Sequence, residues 1–460
     1  MQSVCSKKLV YSPNSEEIFD RLRGLNDVVW LDSGQPKSTQ GRFDILSGDP
    51  DCLIETWGDT STITHDAKTW SSSGDPFELI KNLLEPLRSL ETDPRPNVPF
   101  TCGIIGYFGY DLRRQYYRLD AHNPPAANIP DMRVARYLWS VVVDHQEKST
   151  RFYFHTLCPQ KLRQKVTAAL SDVTSIVHSK QQPFRLKNKF LADIDATEYQ
   201  RNISKIQQLI DAGDCYQVNY SQHFKAAYQG DTWQAYKALR DILPSPYSAY
   251  WQWQDKALMS LSPERFLSSD GHEVESKPIK GTRPRGHNHT ADQSLAQSLV
   301  ESSKDRAENV MIVDLLRNDL SKNACLGSVE VSKLFALETF PNVHHLVSTV
   351  TAKIKAEKSA LDVLKDCFPG GSITGAPKQR AMQIIEELES VRRSVYCGSI
   401  GYISADLTMD TNIAIRTVVA EGQSLHCWGG GGIVADSNPS DEYAESLTKV
   451  NVILKTLEAF

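Results

Sequence analysis

Nothing in the 460-residue sequence reaches the ~18 consecutive apolar residues that a membrane-spanning helix requires. The opening MQSVCSKKLVYSPNSEE holds no apolar stretch long enough for a secretory signal. These absences predict a cytosolic protein. Cysteine is scattered: nine residues, at 5, 52, 102, 158, 215, 325, 367, 397 and 427, with no two closer than 30 positions. That spacing and the odd count exclude CxxC-type zinc sites and a secreted disulfide framework. Neither sign of charge dominates, since 51 basic against 56 acidic residues leave a net charge of -5. The chain therefore has no general attraction for a nucleic-acid backbone or an anionic membrane, and a small molecule or another protein is the expected partner. Internal repeats and low-complexity tracts are missing too. With 40% hydrophobic and 23% charged residues, there is apolar material for one large core or two moderate ones.

What is present reads as mixed α+β. The first 190 residues hold short β-branched and aromatic runs (Val28 to Leu31, Tyr137 to Val143, Arg151 to His155), turn clusters such as Thr92 to Val98, and one helix at Gln160 to His178. A polar stretch from His178 to Lys189 marks the best internal boundary, dividing the chain into a strand-rich 1–185 and a remainder, 186–460. Beyond it, Thr197 and Gln200 suggest a capping box for a helix closed by Gly213. Cys215 to Ser221 then alternates as a strand with Cys215, Gln217 and Asn219 on one face, and Asp270-Gly271 marks a hairpin. Helices are predicted at Asp305 to Arg317, Pro377 to Leu388 and Ser440 to Leu457, among strands at Val343 to Ile354, Ile400 to Ser404, Ile413 to Ala420 and Leu425 to Trp428. Lacking a regular βαβ rhythm, the pattern favours mainly antiparallel sheets.

Several stretches are suited to chemistry. Phe368 to Lys378, FPGGSITGAPK, is a glycine-rich loop entering a helix whose first position is expected at Pro377, and such loops offer free N–H groups to an anion. It is no nucleotide P-loop, because Ala376 stands where that motif needs lysine; a tight turn is the plainer alternative. A second glycine run, Gly429 to Gly432, is expected as a loop after the strand ending at Trp428, serving either close approach to a ligand or a flexible bend. On its helix Glu308 lies over Met311 and Ile312, so its carboxylate needs a cation, whether an internal salt bridge or a hard metal. Glu442, Glu445 and Lys449 share one row of the last helix, where spacing alone favours a surface Glu445–Lys449 pair. In KPIKGTRPR, Lys280 has Lys277, Arg283 and Arg285 close in sequence. Neighbouring cations disfavour an ammonium, so Lys280 is either an amine nucleophile or part of an anion-binding patch. Glu264 is either a general acid or a partner of Arg265.

Taken together, SLSPERF (260 to 266), PIKGT (278 to 282), KDRAENVMIVDLLRND (304 to 319), FPGGSITGAPKQRAM (368 to 382), GSIGYIS (398 to 404) and GGGIVADS (430 to 437) resemble the chorismate-utilising enzymes. The match is dense and in order from about 195 to 457, and looser before it, through Leu31 to Gly34, Arg42 to Asp44 and Phe108 to Asp111. The resemblance implies one composite α+β unit, two large antiparallel sheets packed together with helices outside, and chorismate bound with Mg²⁺ on its ring carboxylate. Glu308 and Glu445 become metal ligands, with Glu442 a water-mediated third. Ser372, Thr374, Gly375, Tyr396, Arg416, Gly430, Gly432 and Lys449 would hold the two carboxylates, His345 would face the ring, and Gln217 the reacting carbons.

Within the family, lysine in PIxGT marks the members that make 4-amino-4-deoxychorismate for folate and 4-aminobenzoate biosynthesis. There Lys280 would attack C2 while Glu264 protonates the departing C4 hydroxyl, and ammonia would then add at C4. Anthranilate synthases carry alanine at this position, and isochorismate synthases a lysine where Gln217 stands. No cysteine lies in a GxCxG elbow, so a separate glutaminase subunit is expected to supply ammonia. The alternatives are an anthranilate synthase component and a non-catalytic aromatic-metabolite sensor. Ser33, Arg42 and Phe43 resemble parts of the tryptophan pocket that some relatives carry, which makes bound tryptophan a further candidate.

Overall fold

Strand pairing runs from one end of the chain to the other, and among the described residues every ladder is antiparallel. The computed structural model describes residues 4–38, 40–88, 98–119, 123–171, 182–340 and 343–460. The strands form two sheets, of 13 and 12 strands, as the α+β expectation requires. Each sheet takes strands from both sides of residue 185: Val28–Asp32 pairs with Tyr247–Trp253 in the first, and Gly103–Phe108 with Ser399–Ser404 in the second. The sheets meet face to face. Tyr107 of the second packs edge-on against Trp251 of the first at 6.1 Å, and the buried Arg133 guanidinium lies 4.8 Å from the rings of both Trp251 and Trp253. Such cation–π contacts let a charged group occupy an apolar seam. Among the described residues no helix is long and apolar enough to cross a membrane.

Local expectations hold where end signals are strong. The Asp270-Gly271 hairpin joins Arg265–Ser269 to Glu273–Ser276, with Asp270 Oδ1 accepting from the His272 and Glu273 amides at 2.8 and 2.7 Å. The helix Ala196–Asp211 ends before Gly213, whose φ is +83°, but its cap is Asp195, which accepts from the Glu198 amide at 2.8 Å. Thr197 therefore sits inside the first turn and does not cap it. Helix Gln160–Ser171 forms as expected; its predicted continuation to His178, the first part of the 178–189 connector, and most of the 92–98 turn cluster lie outside the described residues.

Two departures shape the site. The second glycine run is no loop: Gly429 to Gly432 lie inside the strand Ser424–Ile433, paired with Gln217–Gln229 from Ala227↔Ser424 to Val218↔Ile433. Sequence favours a bend because glycine disfavours strands, yet here a Cβ on Gly429, Gly430 or Gly432 would come within 2.7 Å of a neighbouring atom. The expected strand Ile413 to Ala420 is instead broken. Met409–Asn412 and Thr417–Glu421 are separate strands in different sheets, and Arg416 between them has a φ of +50°.

Candidate active site

The strand Ile279–Pro284 pairs with Val343–Lys353, and its register moves from Ile279↔Val347 to Thr282↔His345, three steps against two. This is a bulge, and Gly281 in it has a φ of +80°. A Cβ on Gly281 would also crowd the Leu299 and Asp305 side chains, at 2.7 and 2.8 Å. The bulge aims Lys280 at the glycine-rich loop, where its Nζ donates to the Ser372 carbonyl at 3.3 Å. Burial pushes the Lys280 amine below its ordinary value; Glu308 and Glu264 oppose that, while Lys449 adds to it. The direction is the one the sequence suggests, but the cause differs. Lys277, Arg283 and Arg285 are taken up by Glu275 (3.6 Å), Asp305 (3.0 Å) and Asp292 (2.8 Å).

Glu264 is 6% exposed, and its Oε1 accepts from Ser372 Oγ at 3.1 Å. Burial raises its carboxyl, against the pull of Lys280. Arg265 is not its partner, because that guanidinium grips Asp410 through two bonds of 3.0 and 2.8 Å and Glu275 through a third of 3.0 Å. A carboxyl raised by burial thus stands near an amine lowered by burial, the directions that an acid and a nucleophile need.

The loop that carries Ser372 is held from behind. Arg393, 1% exposed, donates to the Ile373 carbonyl at 2.8 Å and the Asn219 carbonyl at 2.6 Å, and is paired with Glu389 at 2.6 Å. Glu389 in turn accepts from the Ser221 amide and hydroxyl at 2.9 and 2.7 Å. Thr374 spends its hydroxyl on the Gly370 carbonyl at 2.9 Å, and its own carbonyl accepts from the Asn219 amide at 2.8 Å. Gly375 has a φ of +142°, and a Cβ there would meet the Gln217 carbonyl at 2.1 Å. The helix beyond begins at Lys378, not Pro377; Pro377 is its N-cap, with an extended ψ of 140°. Lys378 is consumed structurally by Asp319 (2.6 Å) and the Cys367 carbonyl (2.9 Å).

Several polar groups here have no partner among the described residues. Both amide atoms of the buried Gln217 lack a hydrogen-bond partner, as does Nε2 of His345. Burial and the Arg416 charge push His345 down to about 4, so it is a neutral ring. Burial likewise lowers Arg416, which has no ion pair among the described residues. Buried polar groups are usually satisfied, so these atoms are suited to meeting a ligand with anionic and polar groups. Tyr396 is buried, stacked on Trp428 at 5.9 Å and 7°, with the Arg393 guanidinium 5.9 Å from its ring.

Across from Lys280, the helices Ser303–Ser321 and Pro439–Glu458 bring up carboxylates. Burial raises Glu308 against the pull of Lys280 and Lys304, and raises Glu442, which the Glu445 charge raises further. Glu442 accepts from Ser437 Oγ at 2.7 Å and faces Lys304 at 3.7 Å. Glu445 pairs with Lys449 at 2.7 Å, as spacing favours, while Lys449 also donates to the Gly430 carbonyl at 3.0 Å. A Cβ on Gly431 would stand 3.2 Å from Glu442 Oε2, 3.5 Å from Lys449 Nζ and 3.7 Å from Glu445 Oε1, so the strand leaves this space open. Among the described residues no group of three or more His, Cys, Asp or Glu side chains is arranged to hold a metal ion.

Ser33, Arg42 and Phe43 lie elsewhere. The Ser33 amide and hydroxyl donate to Asp44 at 2.8 and 2.7 Å; Arg42 grips Asp144 at 3.1 and 2.8 Å and covers the Phe43 ring at 4.5 Å. Sequence reasoning assigned no role to Thr282, Lys304 or the Arg393–Glu389 pair. Thr282 and Lys304 lie in motifs that carry the resemblance; the buried pair has only its i,i+4 spacing as a signal.

Residues 28–455 match the chorismate binding enzyme family, and the chain belongs to it. It is 42% identical over 448 residues to aminodeoxychorismate synthase component 1 of Escherichia coli (strain K12), covering 96% of each protein. Among solved structures, anthranilate synthase component I from Streptococcus pneumoniae TIGR4 superposes with a TM-score of 0.78 at 30% identity, over 91% of this chain and 93% of that one. A menaquinone-specific isochorismate synthase from Escherichia coli shares the fold, with a TM-score of 0.74 at 15% identity over 99% and 94% of the two chains.

Proposed function

We propose that this chain is the synthase component that converts chorismate and ammonia to 4-amino-4-deoxychorismate, the step that leads to 4-aminobenzoate and folate. The observation that carries the reading is Lys280, aimed by its bulge at Ser372 with the Glu264 carboxyl bonded to the same residue. Arg416 and Lys449, with the backbone around Ser372, Thr374, Gly375, Gly430 and Gly432, bind the two carboxylates, and Tyr396 borders them. His345 and Gln217 face the ring. Lys280 adds to C2, and Glu264 gives its proton to the C4 hydroxyl, which leaves as water. Ammonia then forms the C4–N bond, and the electron pair of the C2–N bond returns to Lys280. The enolpyruvyl group is retained.

Glu308 and Glu445 would hold a magnesium ion, with Glu442 beside them. The residues fit such an ion: the donors are hard oxygens, and the Glu442 carboxyl, raised chiefly by burial, is raised further by the Glu445 charge, which a cation would relieve. An open set suits magnesium, which takes one or two carboxylates and completes its shell with water and substrate. When bound, it supplies positive charge to a substrate carboxylate. Ammonia comes from a separate glutaminase subunit, in keeping with the "component 1" in the relative's name. A tryptophan pocket around Ser33, Arg42 and Phe43 would have to share groups already engaged by Asp44 and Asp144.

The test is a product assay with chorismate, ammonium and Mg²⁺ resolved by mass. The expected product keeps its enolpyruvyl group, and without ammonia an adduct accumulates on Lys280. Release of pyruvate with fluorescent anthranilate would overturn the reading.

A further inference from the structure

The strand Val343–Lys353 has a second bulged neighbour on its other side. There Glu330–Thr339 moves from Lys333↔Thr349 to Ala336↔Val347, three steps against two, so that Leu334 and Phe335 together face Ser348. Phe335 has a φ of +57°, a conformation that a bulky residue keeps only where its surroundings hold it. Two contacts do so: its amide donates to Ser348 Oγ at 3.2 Å, and the Arg306 guanidinium lies 5.0 Å from its ring. An amide N–H can only donate, so the Ser348 hydroxyl accepts there and sends its own proton to Asn309 Oδ1, at 2.5 Å. The Ser348 amide donates to the Pro278 carbonyl at 3.3 Å. Ser348 and Asn309 are fully buried, and Asn309 Nδ2 has no partner among the described residues. One serine thus ties together the Phe335 bulge, the chain two residues before Lys280 and the helix position next to Glu308. Neither Ser348 nor Asn309 has a task in the proposed catalytic steps.

We propose that Ser348 is a positioning residue that fixes the spacing between Lys280 and Glu308 through its bonds to Pro278 and Asn309. This rests on the function proposed above, in which Lys280 bonds to C2 of chorismate while the carboxylate on the neighbouring C1 is held on the Glu308 side of the site. The two groups stand on different elements, a strand and a helix, so what joins the two backbones sets the distance between them. A second tie, Arg283 to Asp305 at 3.0 Å, joins the same elements, but its guanidinium is 33% exposed and it lies beyond the bulge. Ser348 holds the near side, where both partners are buried. A misplacement of ~1 Å at a reacting centre costs roughly 100-fold in rate. The contacts that bind the substrate survive such a shift, so the loss falls on kcat.

The test compares Ser348→Ala, Asn309→Ala, the double variant and Ser348→Thr in the full chain. With ammonium and Mg²⁺ saturating, Ser348→Ala should lower kcat about 10- to 100-fold with KM for chorismate unchanged. Asn309→Ala should match it, and the double variant should lose no more than either, because the two side chains act as one unit. Ser348→Thr keeps the hydroxyl and should regain most of the rate. Hydrogen exchange without ligand should quicken in the helix Ser303–Ser321 of Ser348→Ala and of Asn309→Ala, the second carrying the test if the first does not fold. Wild-type kcat in the alanine variants, a loss confined to KM, losses that multiply in the double variant, or unchanged exchange in the helix overturns the proposal. Exchange is read without turnover. A chain that makes anthranilate would therefore fail the functional reading while leaving the tie measurable.

Discussion

The side-chain amide of Gln217 occupies the place toward which a Cβ on Gly432 would project, 2.6 Å from Nε2. Neighbouring glycines of the same strand face different obstacles, so three single-atom additions should part company. Gly432→Ala displaces the end of a flexible side chain, leaving stability near wild type and lowering kcat/KM. Gly430→Ala drives a methyl to 2.3 Å from the Tyr220 carbonyl, which cannot retreat without breaking the ladder, so it should lower the thermal midpoint. Gly431→Ala meets Glu442 and Glu445 and should weaken Mg²⁺ binding most. Melting curves, calorimetry and steady-state kinetics on the three variants check the order.

Lys280 is depressed chiefly by burial, with Glu308 opposing and Lys449 reinforcing. Glu308→Gln removes a stabilising anion and should move the midpoint of Lys280 acylation to lower pH. Lys449→Gln removes a like charge and should move it higher. Competitive labelling with acetic anhydride followed by peptide mass spectrometry gives both midpoints. An unchanged pair would mean that the local charges do not act on the amine.

Under the proposed mechanism Lys280 and Glu264 should set the pH dependence of adduct formation without ammonia. The neutral amine grows as pH rises through the lowered Lys280 value, whereas the Glu264 proton is lost as pH rises through a raised one. The rate should therefore be bell-shaped, with Lys280 on the acid limb and Glu264 on the basic limb. Stopped-flow measurement across the range tests it; a basic limb identical in Glu264→Asp and wild type would remove Glu264 from the acid role.

Arg393 and Glu389 form a buried pair, at 1% and 4% side-chain exposure, that ties the glycine-rich loop to the Gln217–Gln229 strand. Arg393→Met leaves Glu389 without its counter-ion and should cost about 3–5 kcal/mol, read as a lower urea midpoint. Replacing both residues by apolar ones should recover much of that.

The proposed magnesium site gives a readout that needs no turnover. Glu308→Gln and Glu445→Gln should each abolish the calorimetric Mg²⁺ isotherm measured with chorismate, whereas Glu442→Gln should only weaken it. Equal loss in all three would make Glu442 a direct ligand.

Much of this architecture is legible in the chain because its signals are local. Gly213, Asp270-Gly271 and the apolar stripe of the last helix mark ends and faces that the structure keeps. What escapes reading depends on distant partners. The glycine strand looks like a bend until Gln217 and the last helix are seen to crowd it. Arg416 reads as strand interior because nothing in its neighbours announces a φ of +50°. Helix Pro76–Arg88 goes unread with Pro86 inside it. The cations beside Lys280 mislead because a bulge and three acids send them elsewhere. Unpartnered atoms on Gln217 and His345 have no sequence signature at all.

Gly103–Phe108 is paired with Ser399–Ser404, so a central strand made early on the ribosome has its neighbour made almost last. During synthesis its edge is a bare template with no legitimate occupant, the circumstance in which nascent chains pair wrongly or need shelter. Non-local pairing of this kind slows folding. It also restricts how such a gene can change: exchanging the first 185 residues with a relative's would replace strands in both sheets at once. A successful swap would therefore have to carry matching partners from the far end of the chain.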